Sequence, residues 1–128
     1  MAVQVLLVED SRAMRAYVSS ILESEGDYDV CEVENGFDAL RELARSAFTL
    51  IIADINLPDL SAIELARFIR QSKKHVKIPM IVISTDSSEV DQRRALEAGA
   101  TLFVAKPFTP ETLMHAVDQV RQGEKQHV

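Results

Sequence analysis

The sequence predicts an α/β domain built on a doubly wound parallel sheet of five strands and five helices. Short apolar runs alternate along the 128 residues with segments whose apolar residues recur at helical spacing. The run Leu50–Ala53 is apolar throughout, which is typical of a strand that a parallel sheet buries on both faces. A hydrophobic content of 47% and a charged content of 27% fit one globular domain.

Composition disfavours several classes of protein. The net charge is −6 and the Lys and Arg residues are interpreted as scattered among acids, so we expect no nucleic-acid binding. No apolar run approaches the roughly 20 residues of a membrane span and no signal peptide is recognised, so a cytoplasmic location is expected. The single Cys31 is expected to be a small buried hydrophobe, and His75 and His115 are interpreted as solvated helix-face residues.

Five apolar runs predict the strands, and amphipathic segments between them predict the helices. The strands are predicted over residues 3–8, 28–33, 49–53, 79–83 and 100–105. The first helix, over residues 11–25, carries apolar side chains at i, i+4, i+7 and i+8 and is ended by Gly26. The second helix opens at Gly36.

The helices of the second half differ in how firmly they should be held. Ser61 and Glu64 form a capping box at the start of the third helix. The fourth helix, over residues 87–98, has only Val90 and Leu96 as large apolar side chains, so we expect it to be held more loosely than the others.

The last helix begins at Thr109 and Pro110, an N-cap followed by proline at the first helical position. A polar tail is expected after Gly123, so the domain is assigned residues 1–123 and the tail residues 124–128. No second domain, linker or repeat is recognised in the sequence.

Polar side chains follow four of the five predicted strands. They are Glu9 and Asp10 after the first strand, Asp54 after the third, Ser84 after the fourth and Lys106 after the fifth. Because the carboxyl ends of parallel strands lie along one edge of a sheet, where ligands bind, these side chains are expected to converge. Three carboxylates in one pocket repel each other, so a hard cation such as Mg²⁺ is expected to join them.

Asp54 is the candidate for covalent chemistry. A carboxylate can accept a phosphoryl group and form an acyl phosphate. Phosphoryl transfer needs mainly positioning and charge neutralisation, which the metal and the Lys106 ammonium would supply. The Ser84 hydroxyl can hydrogen-bond a phosphoryl oxygen on Asp54, which would couple the fourth strand to the phosphorylation state.

Four short motifs contain these residues. They are Val8-Glu9-Asp10-Ser11, Asp54-Ile55-Asn56-Leu57-Pro58, Ile83-Ser84-Thr85 and Ala105-Lys106-Pro107-Phe108. In this order and spacing the sequence resembles the response-regulator receiver family, most closely its stand-alone chemotaxis type. The resemblance covers essentially the whole chain and implies the flavodoxin-like strand order 2-1-3-4-5.

The resemblance implies a role for each residue of the set. Asp54 would accept phosphate from the phosphohistidine of a histidine kinase, and Ser84 and Lys106 would contact the phosphoryl group. Phe103 matches the aromatic switch position of the family, although it lacks a hydroxyl group. The implied Mg²⁺ ligands are the side chains of Glu9, Asp10 and Asp54 and the backbone carbonyl of Asn56. The Lys106–Pro107 peptide bond would be cis.

Besides Phe103, whose missing hydroxyl leaves ring packing alone for any switch, two residues depart from the usual pattern of the family. Ala62 stands where the family usually has glycine, and Thr85 stands where a small Ala or Gly is commoner. The bulkier, β-branched Thr85 could narrow access to Asp54 and slow phosphate exchange or hydrolysis.

The favoured function is a phosphorylation-dependent switch of a two-component system rather than an enzyme. Phosphate on Asp54 would bias a surface made of the fourth helix, the fifth strand and the fifth helix. The expected partners are a histidine kinase, a phosphatase and a downstream protein such as a flagellar motor switch in chemotaxis. No direct nucleic-acid or membrane partner is expected, and the chain is expected to be a monomer.

Three alternatives stay open at this point. A Mg²⁺-dependent phosphohydrolase could use Asp54 as its nucleophile, but Asn56 stands where such phosphatases commonly carry a second aspartate. The chain could also be an adaptor or phosphate sink. It could equally be a receiver taken from a larger regulator.

Overall fold

A computed structural model of the chain describes residues 2–85 and 88–126. Strands and helices alternate along these residues, as the apolar runs predicted. The elements in chain order are β1 (Val3–Val8), α1 (Arg12–Ser24), β2 (Tyr28–Val33), α2 (Gly36–Arg45), β3 (Leu50–Asp54), α3 (Ala62–Gln71), β4 (Met80–Ser84), α4 (Glu89–Ala98), β5 (Leu102–Ala105) and α5 (Pro110–Gln126).

The five strands form one parallel sheet in the order β2-β1-β3-β4-β5, which confirms the predicted fold class and strand order. Val8 lies beside Ala53, Asp54 beside Ile83, and Ser84 beside Ala105. This register brings the carboxyl ends of the four strands β1, β3, β4 and β5 to the same edge of the sheet.

Side chains of β3 alternate between two apolar layers, one on each face of the sheet. Ile51 and Ala53 pack into the layer that includes α2, α3 and α4. Leu50 and Ile52 pack into the opposite layer with α1 and α5. All five residues of β3 are buried, so Asp54 ends a strand that water does not reach from either face.

Local capping sets where the helices begin. The capping box of Ser61 and Glu64 is confirmed at α3. Helix α2 begins at Gly36, as predicted, and Asn35 is its N-cap. Gly26 follows Glu25, the C-cap of α1, and adopts a positive φ of 97°, a conformation that favours glycine.

The packing of α4 matches the expectation from its composition. Its buried residues are Ala95 and Ala98, whereas Val90 is 60% and Leu96 is 47% exposed. The only side chains of α4 that are buried are therefore those of two alanines.

Three side chains or segments differ from the interpretation of the sequence. His75 is only 5% exposed and lies in the turn after α3, so its assignment as a solvated helix-face residue is wrong. Cys31 is half-buried rather than fully buried. Helix α5 continues past Gly123 to Gln126, so part of the segment assigned to the tail is helical, and the boundary at residue 123 stays a prediction.

None of the helices within residues 2–85 and 88–126 is both long enough and apolar enough to cross a membrane.

Candidate functional site

Three carboxylates meet at the carboxyl edge of the sheet. Asp54 is the last residue of β3 and is buried, Glu9 directly follows β1 and is fully buried, and Asp10 is exposed. One carboxylate oxygen of each residue lies within 4.8 Å of those of the other two. The convergence that the strand register requires therefore brings these three acids together.

Lys106 joins two of these acids. Its Nζ donates a hydrogen bond of 2.7 Å to Oε1 of Glu9 and another to Oδ2 of Asp54, and its side chain is only 9% exposed. Burial disfavours the charged ammonium, but the hydrogen bonds and charges of Asp54 and Glu9 outweigh it and raise the pKa of Lys106. The lysine therefore stays protonated and compensates the buried negative charge.

Backbone N–H groups hold the two buried carboxylates in place. Oδ1 of Asp54 accepts a hydrogen bond of 2.7 Å from the N–H of Asn56, and Oε2 of Glu9 accepts one of 2.9 Å from the N–H of Ser11. Burial nevertheless raises the pKa of Glu9, against the lowering effect of its bonds to Lys106 and Ser11. Loss of solvation, rather than a lack of hydrogen-bond donors, is therefore the main cost of ionising Glu9 in this pocket.

Ser84 and Lys106 are connected through the backbone. Ser84 is fully buried at the end of β4, and its carbonyl accepts a hydrogen bond of 2.7 Å from the N–H of Lys106. The Lys106–Pro107 peptide bond is cis, as the resemblance implied. Thr85, the next residue after Ser84, is exposed.

Phe103 lies on β5, which β4 separates from the strand that ends in Asp54. It is half-buried on β5 and packs against the apolar layer that contains Ala95 and Ala98 of α4. A groove of about 400 Å³ runs along β5 and α5 beside it, with Phe108 and His115 among its lining residues.

The sequence interpretation missed Arg15, which braces the acidic pocket from α1. Its Nη1 donates a hydrogen bond of 2.7 Å to the backbone carbonyl of Glu9. The same guanidinium lies 3.3 Å from Glu34 and 3.6 Å from Glu32, and it is only 11% exposed. The predicted parallel pairing of β1 with β2 could have pointed to Arg15. Val8 lies beside Val33, which places Glu34 near Glu9 and creates a need for a cation there.

The second residue that was missed is Asp59, in the loop between β3 and α3. Its carboxylate accepts hydrogen bonds from the N–H groups of Gly36 at 2.9 Å, Phe37 at 3.0 Å and Leu60 at 2.7 Å. Desolvation opposes ionisation, but these backbone donors prevail and hold the pKa of Asp59 below its usual value. The carboxylate therefore ties the loop after Asp54 to the start of α2.

The family model for the response regulator receiver domain matches residues 5–118. The chain belongs to the response-regulator receiver family. Receiver domains of this kind are signalling switches and are generally not enzymes. The chain is also 33% identical over 118 residues to the chemotaxis protein CheY1 of Helicobacter pylori, a match that covers 91% of this chain and 95% of that protein.

Solved structures of receivers share the fold. The chemotaxis response regulator CheY4 of Vibrio cholerae superposes with a TM-score of 0.88 at 30% identity, covering 94% of this chain and 99% of that chain. The receiver domain of a sensor histidine kinase from Pseudomonas aeruginosa superposes with a TM-score of 0.85 at 28% identity, covering 93% and 97%. That receiver has a magnesium ion coordinated in its active site cleft.

Proposed function

We propose that this receiver accepts a phosphoryl group on Asp54 from the phosphohistidine of a histidine kinase. The observation that carries the proposal is the meeting of Asp54, Glu9 and Asp10 with the Lys106 ammonium at one point of the sheet edge. A buried carboxylate with a charge-neutralising set around it has the chemistry of a phosphoryl acceptor.

In the proposed transfer, a carboxylate oxygen of Asp54 forms a bond to phosphorus as the bond from phosphorus to the imidazole nitrogen breaks. The electron pair of the broken bond returns to the imidazole. The N–H of Asn56 fixes Oδ1 of Asp54 and orients the carboxylate for attack. Lys106 exchanges its contact with the carboxylate for one with a phosphoryl oxygen and stabilises the developing negative charge.

The donor set suits Mg²⁺, which prefers hard oxygen ligands and keeps several waters. One carboxylate oxygen of each of the three acids lies within 4.8 Å of those of the other two, so the three side chains are close enough to hold one ion. The side chains of Glu9, Asp10 and Asp54 and the backbone carbonyl of Asn56 would hold the ion. Bound there, Mg²⁺ would neutralise charge on the phosphoryl group.

Output is proposed to occur through protein contact at α4, β5 and α5. The hydrogen bond from Lys106 to the carbonyl of Ser84 supports this, because it links the two strand ends on which phosphate would act. Phe103 packs against the apolar layer that contains α4, so a movement of its ring would change the packing of that helix. The similarity to chemotaxis proteins favours a flagellar motor switch as the downstream partner.

Intact mass after incubation with Mg²⁺ and a small phosphodonor tests the proposal. We expect one phosphate-sized adduct on the wild type and on Asp118→Ala, an exposed control on α5, but none on Asp54→Ala. An adduct that survives Asp54→Ala would contradict the proposal. Sustained hydrolysis of phosphate esters over many turnovers would instead support a phosphohydrolase.

A further inference from the structure

The positive charges of the chain are not evenly scattered, contrary to the interpretation of the sequence. The stretch between Glu64 and Asp86 contains five of the fourteen Lys and Arg residues and no acid. Since the net charge is −6, the rest of the chain carries an excess of eleven negative charges. Positive charge is therefore concentrated in this stretch of the sequence, and the negative excess lies in the rest of the chain.

Four of these five cations are exposed. They are Arg67 on α3 and Lys73, Lys74 and Lys77 in the turn between α3 and β4. None of the four makes an ion pair with any residue in the described ranges 2–85 and 88–126. Glu64, the acid that precedes this stretch, accepts hydrogen bonds from the capping-box residue Ser61 instead. The four positive charges are left to solvent or to a partner.

The fifth cation, Arg70, gives the turn its shape. Its guanidinium donates hydrogen bonds to the carbonyls of Val76 at 2.8 Å, Ile78 at 2.6 Å and Gly99 at 2.8 Å. The N–H groups of His75 and Ile78 close the turn locally with hydrogen bonds of 3.1 and 3.0 Å. The lysines therefore project from a backbone that is already ordered, which lowers the entropic cost of binding.

Two large apolar side chains lie exposed among these cations. Phe68 of α3 is 45% exposed and Val76 of the turn is 42% exposed. Gln71, one turn after Phe68 on α3, is exposed, and so is Arg67, which precedes Phe68 in the sequence. We define the basic surface as Arg67, Phe68, Lys73, Lys74, Val76 and Lys77.

The basic surface lies at the amino edge of the sheet, because the turn leads into the start of β4. Asp54 ends β3 at the opposite, carboxyl edge. A ligand on the basic surface would therefore not contact the phosphorylation site.

We propose that the basic surface binds an acidic segment of a partner protein that carries one or more apolar side chains between its carboxylates. Charge complementarity with the four cations sets the sign of the ligand, and Phe68 and Val76 require an apolar contact. A nucleic acid or an anionic membrane extends well beyond the patch and would meet the negative excess of the remaining surface. A short acidic segment can engage the cations without that repulsion.

Fluorescence anisotropy with a labelled synthetic peptide, in which glutamates surround a single phenylalanine, tests the proposal. The variant Lys73→Ala/Lys74→Ala/Lys77→Ala should weaken binding about tenfold, because exposed ion pairs each contribute modestly. The control Arg12→Ala/Arg41→Ala/Arg45→Ala removes the same charge from exposed positions on α1 and α2 and should bind normally. Phe68→Ala should also weaken binding, and Asp54→Ala should leave it unchanged.

Several results would overturn the proposal. These are no binding of the peptide, equal loss in both triple variants, and equal binding of a peptide with glutamine in place of glutamate. Stronger binding to phosphatidylglycerol vesicles or to a single-stranded oligonucleotide would assign the surface to a different class of partner. Because Asp54 is not involved, failure here would leave the proposed phosphorylation untouched.

Discussion

Replacing Lys106 with methionine measures how much its positive charge contributes to the stability of the acidic pocket. The substitution keeps a side chain of similar length but removes the cation that joins Glu9 and Asp54, both of which are buried. Breaking a buried ion pair on one side typically costs about 3–5 kcal/mol. The pocket can relieve part of this cost by protonating Glu9, whose pKa is already raised, so we expect a loss of about 3 kcal/mol near neutral pH.

The loss should lower the urea concentration at the unfolding midpoint, and it should lower Tm by about 10 °C. Since the chain contains no tryptophan, far-UV circular dichroism is the appropriate probe of unfolding. Lys73→Met is the matched control, because Lys73 is exposed and makes no ion pair with the described residues. It should unfold like the wild type.

Two further measurements separate electrostatics from packing. The double variant Lys106→Met/Asp54→Asn should recover much of the stability, because only Glu9 then remains as a buried charge of the original three. Mg²⁺ at ten times its Kd should add about 1.4 kcal/mol to the single variant. If Lys106→Met unfolds at the wild-type urea concentration without divalent cations, the charge argument for the pocket is refuted.

Three other substitutions test contacts around the site and the basic surface. Arg15→Met removes the hydrogen bond to the carbonyl of Glu9 and should weaken Mg²⁺ binding about tenfold by calorimetry; unchanged affinity would remove Arg15 from the support of the site. Gly36→Ala would place a Cβ 2.6 Å from the Cβ of Leu60 and 2.9 Å from its Cδ2, and should cost about 1–3 kcal/mol in chemical denaturation. Leu60→Ala removes the Cδ2 contact but keeps the Cβ contact, so it should relieve only part of this loss. Burial and the charge of Lys74 lower the pKa of His75, so the unfolded chain binds its proton more readily and stability should fall as pH drops below about 6.5. His75→Gln should flatten this part of the stability curve, and identical pH profiles would contradict the assignment.

The site was predictable because its residues stand next to the strongest pattern in the sequence. Glu9, Asp54, Ser84 and Lys106 each end or follow an apolar run, and a parallel sheet brings such positions to one edge. Strand order and the cis peptide bond followed from the resemblance to receivers. The individual roles of these residues in phosphorylation stay predictions.

Contacts between distant segments could not be predicted in the same way. Asp59 binds the start of α2, 23 residues earlier, through backbone N–H groups that no side-chain pattern reveals. His75 was misjudged because the helix ends at Gln71 and Arg70 then folds the following turn back on itself. Such hydrogen bonds depend on tertiary geometry, which local periodicity does not contain.

The way α4 is attached to the rest of the molecule has a mechanical consequence. At its carboxyl end, Arg70 holds the carbonyl of Gly99, whose φ of 126° also turns the chain sharply into β5. Along its length only Ala95 and Ala98 are buried, and burial of a methyl group contributes only about 0.8 kcal/mol. The helix is thus held at its carboxyl end, near Gly99, and is only weakly packed along the rest of its length. A small tilt about that point would sacrifice little apolar contact and would displace the end nearest Ser84 the most.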